Sequence, residues 1–260
     1  MIVGPMKSHM SDDGLDLFEL EKSAICPMIQ RSYEAAPVLT EPSAADSVGE
    51  KTYRRIRTDI IFGRLAPGQK LKLDRLKEGY GTSVSTLREL LNRLSSEGLI
   101  VAEGLRGFEV TPVSAAEFRE LAAMRLLLER HALQQSFAAG DMEWEGRVVS
   151  AHHKLTVMEK RMLAGDRSEA ETWKRYDREF HHALISACGS QELLETHAAI
   201  YDKYLRYQII AVVFRGELAA REHEKLTQYA LKRDIAAAQK VLVTHIQDCV
   251  EDTLARGTLS

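Results

Sequence analysis

Gly81-Thr82-Ser83-Val84-Ser85-Thr86-Leu87-Arg88-Glu89-Leu90-Leu91-Asn92-Arg93-Leu94 is the stretch on which the fold turns. Gly81 breaks whatever precedes it, and Ser83 is a residue type that caps a helix by accepting from a backbone N–H three residues on. Leu87, Leu90, Leu91 and Leu94 then recur at three and four residues, so one face of the helix is apolar. Ser85, Arg88 and Asn92 fall on the opposite face, a polar stripe of the kind that fits a DNA major groove. A solvated bundle helix would carry a similar stripe, so the surroundings have to decide.

Upstream, Tyr53, Ile56, Ile60 and Ile61 mark an amphipathic helix from about residue 50, closed by Phe62-Gly63. Leu65-Ala66-Pro67-Gly68 is a turn, and Leu73 and Leu76 face inward from a short helix over 73–80. Downstream of Gly98, Leu99-Ile100-Val101 and Phe108-Glu109-Val110 are strand-like runs around a tip holding Gly104, Leu105, Arg106 and Gly107. Three helices and a small β-hairpin over 49–112 predict a winged helix-turn-helix. Residues 1–48 have no sustained period and hold four of the six prolines; they read as a mobile tail with a short helix near 15–24. From Ser114 onward nearly everything has helical period. Gly140, Gly165-Asp166, Gly189-Ser190, Gly216 and Arg233-Asp234 divide 113–256 into an all-α bundle of six or seven helices.

The charge distribution agrees with a nucleic-acid module. Residues 51–112 carry 12 basic and 7 acidic side chains, whereas residues 1–50 carry 3 and 9. The 260 residues contain no apolar run long enough to span a bilayer, and Asp12, Asp13, Asp16 and Glu19 stand where a signal peptide needs an apolar core. Three widely spaced cysteines do not make a disulfide framework. A cytoplasmic protein without membrane contact is expected.

The ordered combination of Ile60-Ile61-Phe62-Gly63-Arg64-Leu65-Ala66-Pro67-Gly68, Gly81-Thr82-Ser83, Leu87-Arg88-Glu89-Leu90-Leu91, Glu97-Gly98-Leu99-Ile100 and Arg106-Gly107-Phe108-Glu109-Val110 resembles the DNA-binding domain of GntR-family transcriptional regulators. The resemblance implies that Ser83, Ser85, Thr86 and Arg88 meet DNA from the recognition helix and Arg106 and Gly107 from the wing. Small hydroxyls suit phosphate oxygens at a helix N-terminus, and arginine pairs bidentately with guanine. Val84 stands where the family commonly has arginine.

A second constellation lies in the bundle. Asp177 and His181 share a helix face at i and i+4, and His223 and His245 stand on later helices. One carboxylate and three imidazoles match the ligand preferences of a divalent first-row metal, although each histidine taken alone reads equally as an ordinary polar residue. Asp177 with Phe180-His181, Glu222-His223, Ala230-Leu231, Asp234 and His245-Ile246 resembles the FCD effector domain of the FadR subfamily. That resemblance implies a metal held by Asp177, His181, His223 and His245, zinc first, with nickel and manganese as alternatives. It also implies a small carboxylate effector.

Arg125 sits in an apolar stretch between Leu121 and Leu128. A buried cation needs a partner, either Glu129 one turn on or the carboxylate of a ligand, and the FCD resemblance favours the ligand. Arg206, between Tyr204 and Tyr207, is a second candidate. The expectation is a metabolite-responsive repressor that binds a near-palindromic operator as a homodimer. The alternative is a metal-dependent enzyme, for which no motif supplies a general acid or base.

Overall fold

Ser47 caps helix α1 (Val48–Ile61), its Oγ accepting from the Glu50 amide at 3.1 Å. The computed structural model describes residues 47–102, 104, 107–211 and 214–257. The expected tail helix at 15–24 and Arg106 at the wing tip lie outside the described residues.

After α1 come strand β1 (Lys70–Leu71), helix α2 (Leu73–Tyr80), helix α3 (Val84–Ser96) and strands β2 (Ile100–Ala102) and β3 (Phe108–Val110). The anticipated two-stranded wing is a three-stranded antiparallel sheet in the order β1-β3-β2. Lys70 pairs with Glu109 and Ile100 with Val110. The turn before β1 recruits the extra strand, because Gly68 N–H donates to the Val110 carbonyl at 2.9 Å and Val110 N–H to that of Gln69 at 3.0 Å. Ile56, Ile60, Leu87, Leu91, Leu94 and Val110 close the core of this winged helix-turn-helix.

Six helices follow: α4 (Ala115–Ala139), α5 (Met142–Leu163), α6 (Ala170–Ile185), α7 (Gln191–Ile210), α8 (Glu217–Lys232) and α9 (Ile235–Ala255). Four begin on a capping oxygen, from Ser114, Asp141, Ser190 and Asp234. Their core centres on Phe118, Trp144, Phe180, Tyr204, Leu226 and Leu242. The expected all-α bundle is therefore present, with α7 ending at Ile210. Among the described residues no helix is long and apolar enough to cross a membrane.

The winged module and the bundle meet along α1 and α7. Ile61, Tyr201 and Leu205 form a small apolar cluster there. Beside it lies a fully buried carboxylate, Asp202, which accepts from Arg57 Nη1 at 3.0 Å and from Arg178 Nε at 2.6 Å. Arg57 also donates to Glu97, the C-cap of α3, at 2.9 Å.

The α4–α5 joint gives a direct test of packing. A Cβ on Gly140 would stand 2.5 Å from the Trp144 ring and 2.8 Å from the Ser136 carbonyl oxygen, a backbone atom that cannot rotate away. Gly140→Ala is expected to lower the unfolding free energy by about 1–3 kcal/mol, read from a urea denaturation curve.

Candidate functional site

Two surfaces carry the chemistry. The first is α3. Its leucines are buried, and Ser85, Arg88 and Asn92 are exposed on the other side, as the spacing requires. Ser83 caps the helix by accepting from Thr86 N–H at 3.1 Å, and its Oγ also lies 2.8 Å from that of Ser85 and 3.0 Å from Oγ1 of Thr86. Three hydroxyls are thus gathered at the positive end of a helix dipole. Gly107 holds φ at +99°, a conformation that a side chain would strain.

The second is a knot of imidazoles in the bundle. His181 from α6, His223 from α8 and His245 from α9 are all buried, and each offers a nitrogen within 4.8 Å of the others. Their ring centroids are 4.8–5.7 Å apart. Asp177, one turn before His181, stands beside them with Oδ1 3.5 Å from His223 Nε2. Its Oδ2 accepts from Tyr201 at 3.0 Å and from the Lys174 ammonium at 3.3 Å.

Each imidazole leans on a carboxylate through the same ring atom. His223 Nδ1 lies 2.7 Å from Glu159, His245 Nδ1 lies 2.8 Å from Glu222, and His181 Nδ1 lies 3.3 Å from Glu129. For His223 and His245 this selects the tautomer that turns Nε2 inward as a lone-pair donor; the His181 contact with Glu129 is close but is not a hydrogen bond. Both ring nitrogens of His181 and Nε2 of His223 are buried without a hydrogen-bond partner among the described residues. Burial pushes His245 down to about 3 and also lowers His181, with Arg125 a further contributor at both. At neutral pH both rings are therefore uncharged, the form that binds metal. Burial opposes ionisation of Asp177, but Lys174 and the three histidines outweigh it and hold its carboxyl below the usual range. The residues present fit a divalent cation, with three inward nitrogens, one adjacent carboxylate and buttressed rings.

Arg125 is buried next to this knot. Its Nε donates to Glu129 at 2.8 Å, so the partner one turn on is engaged. The guanidinium carbon lies 4.3 Å from the centre of the Tyr201 ring and 4.6 Å from that of Tyr204, and Nη2 has no hydrogen-bond partner among the described residues. Glu129 also meets His197 Nε2 at 2.7 Å. Burial opposes its ionisation, yet Arg125 and the histidines keep it charged well below the usual carboxylate range. Arg206 goes elsewhere. Its Nη2 donates to the Thr111 carbonyl on the connection between module and bundle, and none of its hydrogen bonds reaches the histidine knot. Tyr204 and Tyr207 flank it in sequence, but its neighbour Tyr207 bonds Glu117 near the start of α4, and that is the direction its charge takes.

Sequence reasoning missed Glu159, Glu222, His197, Tyr201 and Lys174 as members of this group. Glu222 adjoins His223 in the chain and was within reach; Glu159 sits in Met158-Glu159-Lys160-Arg161, which reads as a charge run. His152 is half-buried, with its ring 5.5 Å from Phe180.

Glu129 is the pivot of the arrangement, and its charge can be tested. Glu129→Gln leaves Arg125 buried without a counter-charge and is expected to destabilise the domain by about 3–5 kcal/mol, seen as a lowered thermal midpoint.

Comparison with known proteins converges with this geometry. Residues 49–110 match the family model for bacterial regulatory proteins of the gntR family, and residues 120–248 match the FCD domain. The chain is 37% identical over 215 residues to the HTH-type transcriptional regulator BphR of Paraburkholderia xenovorans, covering 82% of this chain and 88% of that one. It is 31% identical over 202 residues to the HTH-type transcriptional repressor GlaR of Escherichia coli, covering 75% and 90%. The solved structure of E. coli McbR/YncC shares the fold, with a TM-score of 0.68 over 82% of this chain and 99% of that one at 20% identity. A GntR regulator from Rhodococcus sp. RHA1 superposes with a TM-score of 0.67 over 81% and 99%, at 22% identity. These relatives are regulators rather than enzymes. The chain belongs to the GntR family of bacterial transcriptional regulators, with a winged helix-turn-helix DNA-binding domain followed by an FCD domain.

Proposed function

We propose that this regulator is a homodimeric repressor that binds a near-palindromic operator through residues 49–112 and senses a small carboxylate through residues 113–256. One recognition helix reads only a few base pairs, so specificity calls for two half-sites related by the dimer axis. The relative named a repressor, GlaR, supports the sign of the response. Arg88 is the residue placed to read bases, since it is exposed and carries no ion pair among the described residues. Ser83, Ser85, Thr86, Arg106 and Gly107 would position the backbone.

Asp177, His181, His223 and His245 would hold the metal, zinc by ligand type, with nickel and manganese also accommodated by such a donor set. When bound, the metal supplies a Lewis-acidic centre for an anionic oxygen. The protein supplies the rest: Glu159 and Glu222 orient two of the rings, and the Tyr201 and Tyr204 rings pack against the Arg125 guanidinium. The observation that carries this reading is the set of orphaned buried atoms. Two inward imidazole nitrogens and the Nη2 donor of Arg125 lack partners in one part of the core, where each unpaired polar group is costly. A carboxylate with its cation satisfies both kinds at once. Effector binding could then alter DNA affinity only through a preference for one arrangement of the two modules.

Arg88→Ala is expected to weaken specific operator binding by about 1–3 kcal/mol with the circular dichroism spectrum unchanged; a gel-shift titration on DNA upstream of the gene checks it. Tag-free protein should contain about one metal per chain by elemental analysis, with Glu159→Gln lowering metal affinity by about 10- to 100-fold. Arg125→Lys keeps a charge opposite Glu129 and should retain metal and operator binding while weakening the response to carboxylates, because a point charge does not reproduce the planar fork. Retention of full metal by His223→Ala and His245→Ala would overturn the metal assignment.

A further inference from the structure

A cavity of about 530 Å³ opens at the seam between the winged module and the bundle. Phe62 and Arg64, just beyond α1, form one wall; the N-terminal part of α6 and the ends of α7 and α9 form the other. Its volume falls in the range of small-molecule sites, roughly 300–1,000 Å³. It is a different place from the effector site proposed above. The Lys174 side chain stands between them, with Nζ bonded to Asp177 at 3.3 Å and to Gln208 at 3.1 Å while also lining the cavity.

Two features of the lining identify a ligand class. The first is charge. Arg64, Arg167, Lys174 and Arg256 line the cavity against one acid, Glu171. Arg64 is balanced by Asp59 at 2.5 Å and by Glu171 at 2.6 Å, and Lys174 by Asp177. Arg167 and Arg256 have no acidic partner among the described residues. The second is the wall. Phe62, Trp173 and Phe214 present aromatic surface, with the Trp173 and Phe214 rings edge to face at 5.1 Å. The Trp173 indole Nε1 is buried and has no hydrogen-bond partner among the described residues, so a donor in the cavity wall awaits an acceptor.

We propose that this seam cavity is a second ligand site that binds an organic acid with a flat apolar body, its carboxylate held by Arg167 and Arg256 and its ring against Trp173 and Phe214. A ligand seated there touches both modules, through Phe62 on one side and Trp173 on the other. Its affinity therefore depends on how they are placed, and by linkage it alters DNA binding independently of the histidine knot.

Calorimetric titration of the full chain with 2-naphthoate tests this. One molecule should bind per chain. The neutral 2-naphthamide should bind at least about tenfold more weakly, and the Arg167→Ala/Arg256→Ala double variant should lose about tenfold or more. Arg125→Lys, which keeps a charge opposite Glu129, and chelator-treated protein should bind naphthoate as the untreated wild type does, which separates this site from the one proposed above. Hydrogen exchange with naphthoate bound should slow at residues 60–65 and at 168–176 together. Absence of binding at millimolar naphthoate, affinity unchanged in the double variant, loss of binding in Arg125→Lys, or protection confined to the bundle would each overturn the proposal.

Discussion

Three buried imidazoles packed against one another impose the constraint around which the bundle is arranged. Each ring has two nitrogens, and burial makes an unpaired one costly. The chain resolves part of that problem with carboxylates from other helices: Glu159 on α5 meets His223 and Glu222 on α8 meets His245, while Glu129 on α4 stands 3.3 Å from His181 without hydrogen-bonding it. Those acids then require their own counter-charges. Arg125 answers Glu129 at 2.8 Å and Arg215 answers Glu222 at 2.8 Å. Arg215 in turn reaches Asp248 and Asp252 on α9, both at 3.0 Å, so the network runs from the core to the surface. The rest, including the inward nitrogens, is left open. A core optimised for stability alone would have filled this volume with leucine. Open buried nitrogens are what a site that gains its last partners from outside, as proposed, would present.

The same logic governs the seam. Asp202 is fully buried and sits between a guanidinium of each module, Arg57 at 3.0 Å and Arg178 at 2.6 Å. Arg178 follows Asp177 directly on α6, and Tyr201, which donates to Asp177, precedes Asp202 directly on α7. Arg57 continues to Glu97 at the end of the recognition helix. Asp202 thus joins a helix that carries part of the histidine knot to the DNA-binding module through buried ion pairs. These short polar contacts are flanked by the Ile61–Tyr201–Leu205 cluster, a seam that is packed rather than merely tethered.

Much of the fold was legible because its signals are local. The leucine period of α3, the Ser83 cap and the oxygen caps at Ser114, Asp141, Ser190 and Asp234 all act within one turn of the chain. The histidines were legible as residue types, and the i, i+4 spacing of Asp177 and His181 placed two of the four on one face. What could not be read is long-range. β1 is two residues long and shows no alternation; only its pairing with β3 defines it. Arg57 follows Arg54 and Arg55 and reads as part of a basic surface, yet it turns inward to an acid 145 residues away. Glu159 and Glu222 look solvated because a glutamate on a helix usually is; their burial is decided by where the histidines lie. Arg206 was expected near the effector and instead anchors the Thr111 carbonyl, because α7 carries it past the knot to the inter-module connection.

Arg233 shows how such long-range demands override local preference. It is the one non-glycine residue with positive φ among those described, at +57°, in the position after α8 where glycine is the usual choice. Its guanidinium repays that strain across the bundle. Nη2 donates to the Gly140 carbonyl at 2.8 Å and to Glu145 at 2.7 Å, and the group lies 4.4 Å over the Trp144 ring. Gly140 is also the joint where a side chain would strike Trp144. The end of α8 and the α4–α5 turn are thus one structural unit, although 93 residues separate them in the chain. A glycine at 233 would suit the backbone and remove the clamp. The arginine keeps the strained conformation because its side chain ties the two ends together, and this holds α8, with His223, in register with the helices that carry Glu159 and His181.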